Sequence, residues 1–209
     1  MGLKSNPMSN NPFVPPHSEI LTRVAPEIPI NEITSDATQE IIKKMYDVGL
    51  GEQQDMKKPT LVGLAAPQIG ISARIILIDT LADGKGNVGG LKVYINPKII
   101  WKSKEENEWR EGCYSTSRVN GIVSRPSEIE IEAYNKDGKL IREKHYRYTA
   151  RIFMHEIDHL NGIVFVQHIE DDSKLHWVEI EDVPQYREDW REWEKLCPRE
   201  KWLKIKKGE

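Results

Sequence analysis

Short apolar runs alternate with polar, glycine- and proline-marked stretches along this chain, and their spacing predicts a mixture of helices and strands. In TSDATQEIIKKMYDVGLG, Ala37, Ile41, Met45 and Val48 recur at helical spacing. Ser35 or Asp36 can cap that helix and Gly49 can end it. RIILID reads as a buried strand, DGKGNVGG as a flexible loop, and LKVYINP as a strand stopped by Pro97. In EIEIEAY, Ile129, Ile131 and Ala133 alternate with Glu128, Glu130 and Glu132, the period of a half-buried strand. NKDGK turns the chain and LIREKHYRY returns it as a hairpin. TARIFMHEIDHL has helical periodicity, with Phe153, Ile157 and Leu160 on its apolar face and Gly162 as its stop. IVFVQHI reads as a final strand. The tail, about 185–209, is amphipathic, tryptophan-rich and broken at Pro198. Hairpin connections and an excess of strands predict the α+β class.

Length and charge narrow this picture. A chain of 209 residues suits one compact domain with tails. Residues 1–18, rich in Asn and Pro, read as a flexible leader, and 19–209 as a single domain that includes the tail. Thirty basic against 33 acidic residues leave a net charge of −3, so no overall basic field points to DNA. No apolar run approaches the roughly 18 residues that a membrane span needs. The N-terminal stretch carries no apolar core of a secretion signal. Two cysteines, Cys113 and Cys197, argue against a disulfide scaffold and for a reducing compartment. The expectation is a soluble intracellular protein.

The chemistry concentrates in three stretches. In MHEIDHLNG, His155 and His159 lie four apart and share one helix face, so both imidazoles can meet one metal ion. Glu156 sits beside that face, within reach of a water at the ion. A third ligand is needed, and a metzincin-type histidine would fall at Phe165. His168 and His176 are the histidines downstream. Upstream, REGCYSTS offers Cys113, whose thiolate would complete a His₂Cys set and reduce a divalent ion to a formal +1. A free cysteine is otherwise a small buried hydrophobe, the reading that suits Cys197. In GLAAPQIG, Gly63, Ala65 and Ala66 let backbone approach a ligand and Gln68 offers an uncharged donor; the same residues also suit a tight strand end.

Taken together, LVGLAAPQ, EGCYS and HEIDHLNG resemble the peptide deformylase family, which carries GxGΦAAxQ, EGCΦS and HExDH segments in that order. The resemblance runs from about residue 18 to at least residue 170. It implies antiparallel sheets packed around a central helix that carries the HExxH metal motif, with N-terminal and C-terminal helices. It implies a metal-dependent hydrolase that removes the formyl group from N-formylmethionyl nascent chains. Cys113, His155 and His159 would be the ligands and Glu156 the general acid/base. The Gln68 side chain and the Tyr114 backbone N–H would hold the oxyanion. Gly63 would offer backbone contacts, and Val62, Trp109, Tyr114 and Ile152 would line the methionine pocket. Glu111 and Arg125 would pair and brace the cysteine segment, and Asp158 would orient the imidazoles. Ferrous iron is the implied native metal, with zinc, nickel or cobalt able to replace it; the ligand set alone does not single out iron.

The family further implies a bacterial cytoplasmic location and, through the basic stretch PREKWLKIKKG, contact with the ribosome; a solvated helix packed on the domain is the other reading of that tail. Tyr114 for Leu, Met154 for Gln, and Asn120 for a basic or aromatic residue depart from the usual pattern. They bear on side-chain preference and inhibitor affinity, not on metal binding. Three rival classes share parts of the pattern: a zincin-like metallopeptidase, a thiol enzyme using Cys113 as nucleophile, and a catalytically degenerate binding protein.

Overall fold

The most apolar run in the chain is the place to begin building the fold. In the computed structural model, which describes residues 11–54 and 60–209, β2 (Ile75–Asp79) is buried along its whole length. Such a strand needs neighbours on both edges. β1 (Gly63–Ala65) and β3 (Leu91–Lys102) supply them. β6 (Glu128–Tyr134) and β7 (Leu140–Tyr146) extend the sheet to the order β1-β2-β3-β6-β7, antiparallel at every pairing. A second antiparallel sheet holds β4 (Glu106–Gly112), β5 (Val119–Pro126) and β8 (Leu175–Trp177) in the order β4-β5-β8. Helices and antiparallel sheets make this the expected α+β class.

α1 (Asp36–Gln54) begins as predicted: the Ser35 Oγ accepts the Thr38 N–H at 3.3 Å. It does not stop at Gly49. A Cβ there would lie 2.6 Å from Leu91 Cδ1, so the glycine lets the helix approach β3 closely instead of ending it. The buried face is Thr38, Ile42, Met45, Gly49 and Glu52; Ala37 is exposed, one step off the expected stripe. Pro97 does not end its strand either. β3 runs through it on a register shift between Ile95 and Lys98, with Asn96 at φ 51°. The broken ladder removes the need for a proline N–H, and the Asn96 side chain bonds Ile28 N–H and C=O at 2.8 and 2.7 Å.

IVFVQHI is not a strand. Phe165–His168 form a 3₁₀ turn, with the Val164 N–H donating to Gln167 Oε1 at 2.9 Å. Val164, Phe165, Val166 and Ile169 are all buried, a continuous pattern that periodicity alone cannot assign. The tail is likewise not one broken helix: α3 (Val183–Asp189) and α4 (Arg199–Lys207) flank an irregular stretch, with Pro198 at the start of α4. Tyr186, Trp190 and Trp193 form an apolar cluster with Val178, while Cys197 and Trp202 pack beneath β5. Burial pushes the Cys197 thiol up, as suits an inert core residue. Residues 11–18, part of the expected flexible leader, are packed against the domain. Phe13 is buried and stacks on Tyr114 at 4.2 Å, and the Val14 N–H donates to the Gln68 carbonyl at 2.9 Å. Residues 1–10 lie outside the described residues.

α2 (Arg147–Leu160) starts two residues before the predicted span, where the Arg147 N–H reaches the Ser127 carbonyl at 2.6 Å. Phe153, Ile157 and Leu160 bury its apolar face. It contacts β1, β2, β6 and β7 of the larger sheet and β5 of the smaller. Beyond its end Gly162 adopts φ 72°, and the Ile163 N–H closes on the Asp158 carbonyl at 2.9 Å. Among the described residues no helix is long and apolar enough to cross a membrane.

Candidate metal centre

The chemistry-bearing segments meet where α2 passes the end of β4. The helix holds the His155 and His159 rings 5.0 Å apart, centre to centre. Cys113 follows β4 directly, and its Sγ lies 3.2 Å from His159 Nε2. The donor atoms of Cys113, His155 and His159 all fall within 4.8 Å of one another. Two imidazoles and a thiol converging in this way match the N/S donor set of a divalent ion that keeps a position open for chemistry. The sulfur also accepts the Ser115 N–H at 3.3 Å and the Gln68 Nε2–H at 3.2 Å. Burial would push the Cys113 thiol up; His159 and His155 outweigh it and hold it well below the ordinary thiol range. A thiolate is the form that ligates.

The histidine tautomer is set from behind. His155 Nδ1 lies 2.8 Å from Glu111 Oε2, which leaves Nε2 for the ion. Glu111 is 6% exposed and also accepts Arg125 Nε and Nη2 at 2.6 and 2.9 Å and Arg151 Nη1 at 2.6 Å. Burial alone would raise this carboxyl; Arg125 and His155 hold it well below the carboxylate range. Arg125 Nη1 continues to Asp158 Oδ2 at 2.8 Å, and His168 Nε2 meets the same oxygen at 2.8 Å. Asp158 therefore braces Arg125 and, among the described residues, makes no hydrogen bond to either of the two imidazoles it was expected to orient. Lying between them in sequence, it points to Arg125, and it is Glu111 that meets the His155 ring.

Glu156 is buried with Oε2 unpaired among the described residues. Burial pushes it up to about 7, with His155 and His159 pulling the other way. A carboxyl of that kind suits proton transfer near neutral pH. Gln68 is fixed by accepting the Ala65 N–H at 2.7 Å, which turns its amide nitrogen toward Cys113. Gly63 is necessary for close approach: a Cβ there would sit 2.5 Å from Glu156 Oε1 and 2.8 Å from Ile152 Cγ2. Gly63→Ala is expected to displace Glu156 and lower kcat by about 10²-fold, with bound metal unchanged. Full turnover in that variant would mean the carboxyl tolerates displacement.

These groups line a cavity of about 610 Å³. Val62, Gly63, Gln68, Tyr114, Ile152, His155 and Glu156 reach it. His159 lies beneath, 1% exposed. Trp109 does not line it: its ring packs on Trp190 at 5.6 Å, and its neighbour Arg110 faces the cavity instead. Leu61 stands where the family pattern has its first glycine and is buried in the core. Arg151 was not anticipated, although its position four residues before His155 marks the same helix face. Phe13 carried no such local signal.

A His₂Cys cluster at the floor of a cavity, with a buried carboxylic acid beside it on an α+β scaffold, defines a metallohydrolase class of site. Residues 11–175 match the profile of the polypeptide deformylase family. The peptide deformylase of Halothermothrix orenii is 38% identical over 141 residues, covering 68% of this chain and 88% of that protein. The Met-Ala-Ser-bound class I type b peptide deformylase of Acinetobacter baumannii superposes with a TM-score of 0.67 at 29% identity, covering 75% of this chain and 96% of that one. A probable peptide deformylase of Synechococcus phage S-SSM7 gives 0.60 at 34% identity, covering 73% and 95%. The chain belongs to the polypeptide deformylase family. Deformylation is its function, and neither the metallopeptidase nor the binding-protein alternative is favoured.

Proposed function

We propose that this enzyme removes the formyl group from N-formylmethionine at the start of nascent polypeptides, releasing formate, with the residue roles that follow. The observation that carries this reading is the convergence of Cys113, His155 and His159 beside Glu156 and Gln68 in one cavity. Cys113, His155 and His159 hold one divalent ion, Fe²⁺ in the native enzyme, with Zn²⁺, Ni²⁺ or Co²⁺ as substitutes. When bound, the ion would supply Lewis acidity and lower the pKa of a water toward neutrality. Glu156 takes the proton of the attacking water and returns it to the leaving amine. The Gln68 Nε2–H and the Tyr114 backbone N–H hold the carbonyl oxygen as it gains charge. Among the described residues β1 pairs on one side only, so its outer edge at Gly63 can accept the peptide backbone as an added strand. Val62, Tyr114 and Ile152 receive the methionine side chain.

The same reading makes α2 the central metal-carrying helix and residues 19–209 one catalytic domain in a bacterial cytoplasm. Trp202 is buried, which favours a tail packed on the domain. The lysines at the end of α4, Lys204, Lys206 and Lys207, are what a ribosomal contact would use.

The test is formate release from N-formyl-Met-Ala-Ser by enzyme purified anaerobically with Fe²⁺, since the thiolate and ferrous iron are both oxidisable. Rapid release that a chelator abolishes is the expected result. Absence of release from metal-loaded protein would overturn the substrate, and chelator-resistant release would favour a Cys113 nucleophile.

A further inference from the structure

The cavity continues away from the metal cluster to a wall built by chain beyond residue 175, where the family match ends. Val178, Ile180, Val183, Tyr186 and Arg187 line the cavity from this segment, and Arg110 lines it from β4. Four arginines reach the cavity in all. Arg151 is committed to Glu111, to the Val123 carbonyl and to Asn107. Arg118 is paired with Glu179 at 3.0 Å. Arg110 gives one Nη2–H to the Gly84 carbonyl at 3.2 Å, while its Nε is buried without a partner among the described residues. The Arg187 side chain makes no ion pair or hydrogen bond among the described residues.

The cavity's own carboxylates do not answer these two charges. Glu111 is consumed by Arg125, Arg151 and His155, and Glu156 lies against the metal cluster. Arg110 and Arg187 are close enough to oppose one another's charge, and the half-buried Tyr148 phenol lies near both. Holding two cations together in a partly desolvated wall is unfavourable unless an anion joins them. A carboxylate suits the forked donors of guanidinium groups.

We propose that Arg110 and Arg187 form a carboxylate subsite that selects formylated peptides bearing an acidic group in the first few residues after formylmethionine. The inference rests on the deformylase reading above, because one cavity then holds the formyl end at the metal and the downstream residues at the arginines. The carboxylate has two possible sources, an Asp or Glu side chain and the free C-terminus of a short peptide.

The experiment compares kcat/KM for C-terminally amidated formyl-Met-Asp and formyl-Met-Glu peptides with their Asn and Gln counterparts, and for formyl-Met-Ala-Ser as free acid and as amide. A charged hydrogen-bonded pair predicts about a tenfold preference for the acidic member. The preference should weaken with added salt, collapse in Arg187→Gln, survive in part in Arg187→Lys, and turn toward a lysine-bearing peptide in Arg187→Glu. Preference only for the free acid would assign the subsite to a terminal carboxylate. Equal hydrolysis within every pair by the parent enzyme, the free acid and amide of formyl-Met-Ala-Ser included, would overturn the subsite. Calorimetric binding of the deformylated peptides Met-Asp-amide and Met-Asn-amide gives the same comparison without turnover. Unequal binding with no hydrolysis of any formyl peptide would keep the subsite and remove the deformylase reading; equal binding of these amides, and of Met-Ala-Ser as free acid and amide, would remove the subsite.

Discussion

Glu156→Gln retains one metal per chain and loses turnover by about 10²–10⁴-fold, the usual contribution of a positioned acid or base. The substitution keeps the size of the side chain and removes its ability to carry a proton. It should not harm the fold. Glu156 is 4% exposed, and its Oε2 has no partner among the described residues, so no buried pair is broken and a costly buried carboxyl is neutralised. His159→Ala is the contrasting variant, since it removes a ligand and should lose metal and turnover together. The measurements are kcat for formate release, metal content by atomic emission, and melting temperature. A Glu156→Gln enzyme that turns over like the parent would take the proton-transfer role away from this residue.

Glu111→Gln has the largest expected effect on stability. Its carboxylate is the counter-ion of two buried guanidinium groups and the partner of His155. Removing one member of such a group leaves uncompensated charge inside the protein, at a cost of about 3–5 kcal/mol. For a domain of this size each kcal/mol lowers the melting temperature by about 2–4 °C, so a fall of roughly 6–20 °C is expected. The pH dependence follows from the same group. Its folded pKa lies below its ordinary value, because Arg125 and His155 outweigh the effect of burial. Its stabilisation is therefore complete above the ordinary carboxylate pKa of about 4.3 and is lost as pH falls below that value. The variant should lose this acid-range component of unfolding. It should also bind metal more weakly, because His155 loses the group that sets its tautomer. A melting temperature within about 2 °C of the parent would mean that the arginines find other partners.

The helix that carries His155, Glu156 and His159 was legible because a 3.6-residue repeat puts the histidines on one face and Phe153, Ile157 and Leu160 on another. The β6–β7 hairpin was legible for the same kind of reason: Ile129, Ile131 and Ala133 alternate with glutamates, and all three are buried. Other elements hid their period. β5 buries Val119, Gly121, Val123 and Arg125 in strict alternation, yet a glycine and an arginine on the inward face do not read as apolar. A run such as Val164, Phe165 and Val166 fits a strand, a helix or a turn equally well. Gly49 and Pro97 carried the usual marks of termination, and packing against Leu91 and a bulge at Asn96 overrode both.

By itself, then, the sequence determined the local chemistry: two imidazoles on one helix face, a glutamate beside them, a cysteine in a tight segment, and a family resemblance that joined them. Only the tertiary structure decided what meets what. Cys113 lies 46 residues from His159 and yet stands 3.2 Å from it. Glu111 and not Asp158 orients an imidazole, Arg110 and not Trp109 faces the cavity, and Phe13 stacks on Tyr114. The physical reason is that residue order and periodicity specify which side chains share a face. Which faces meet depends on how sheets and helices exclude water together, a property of the whole packed chain.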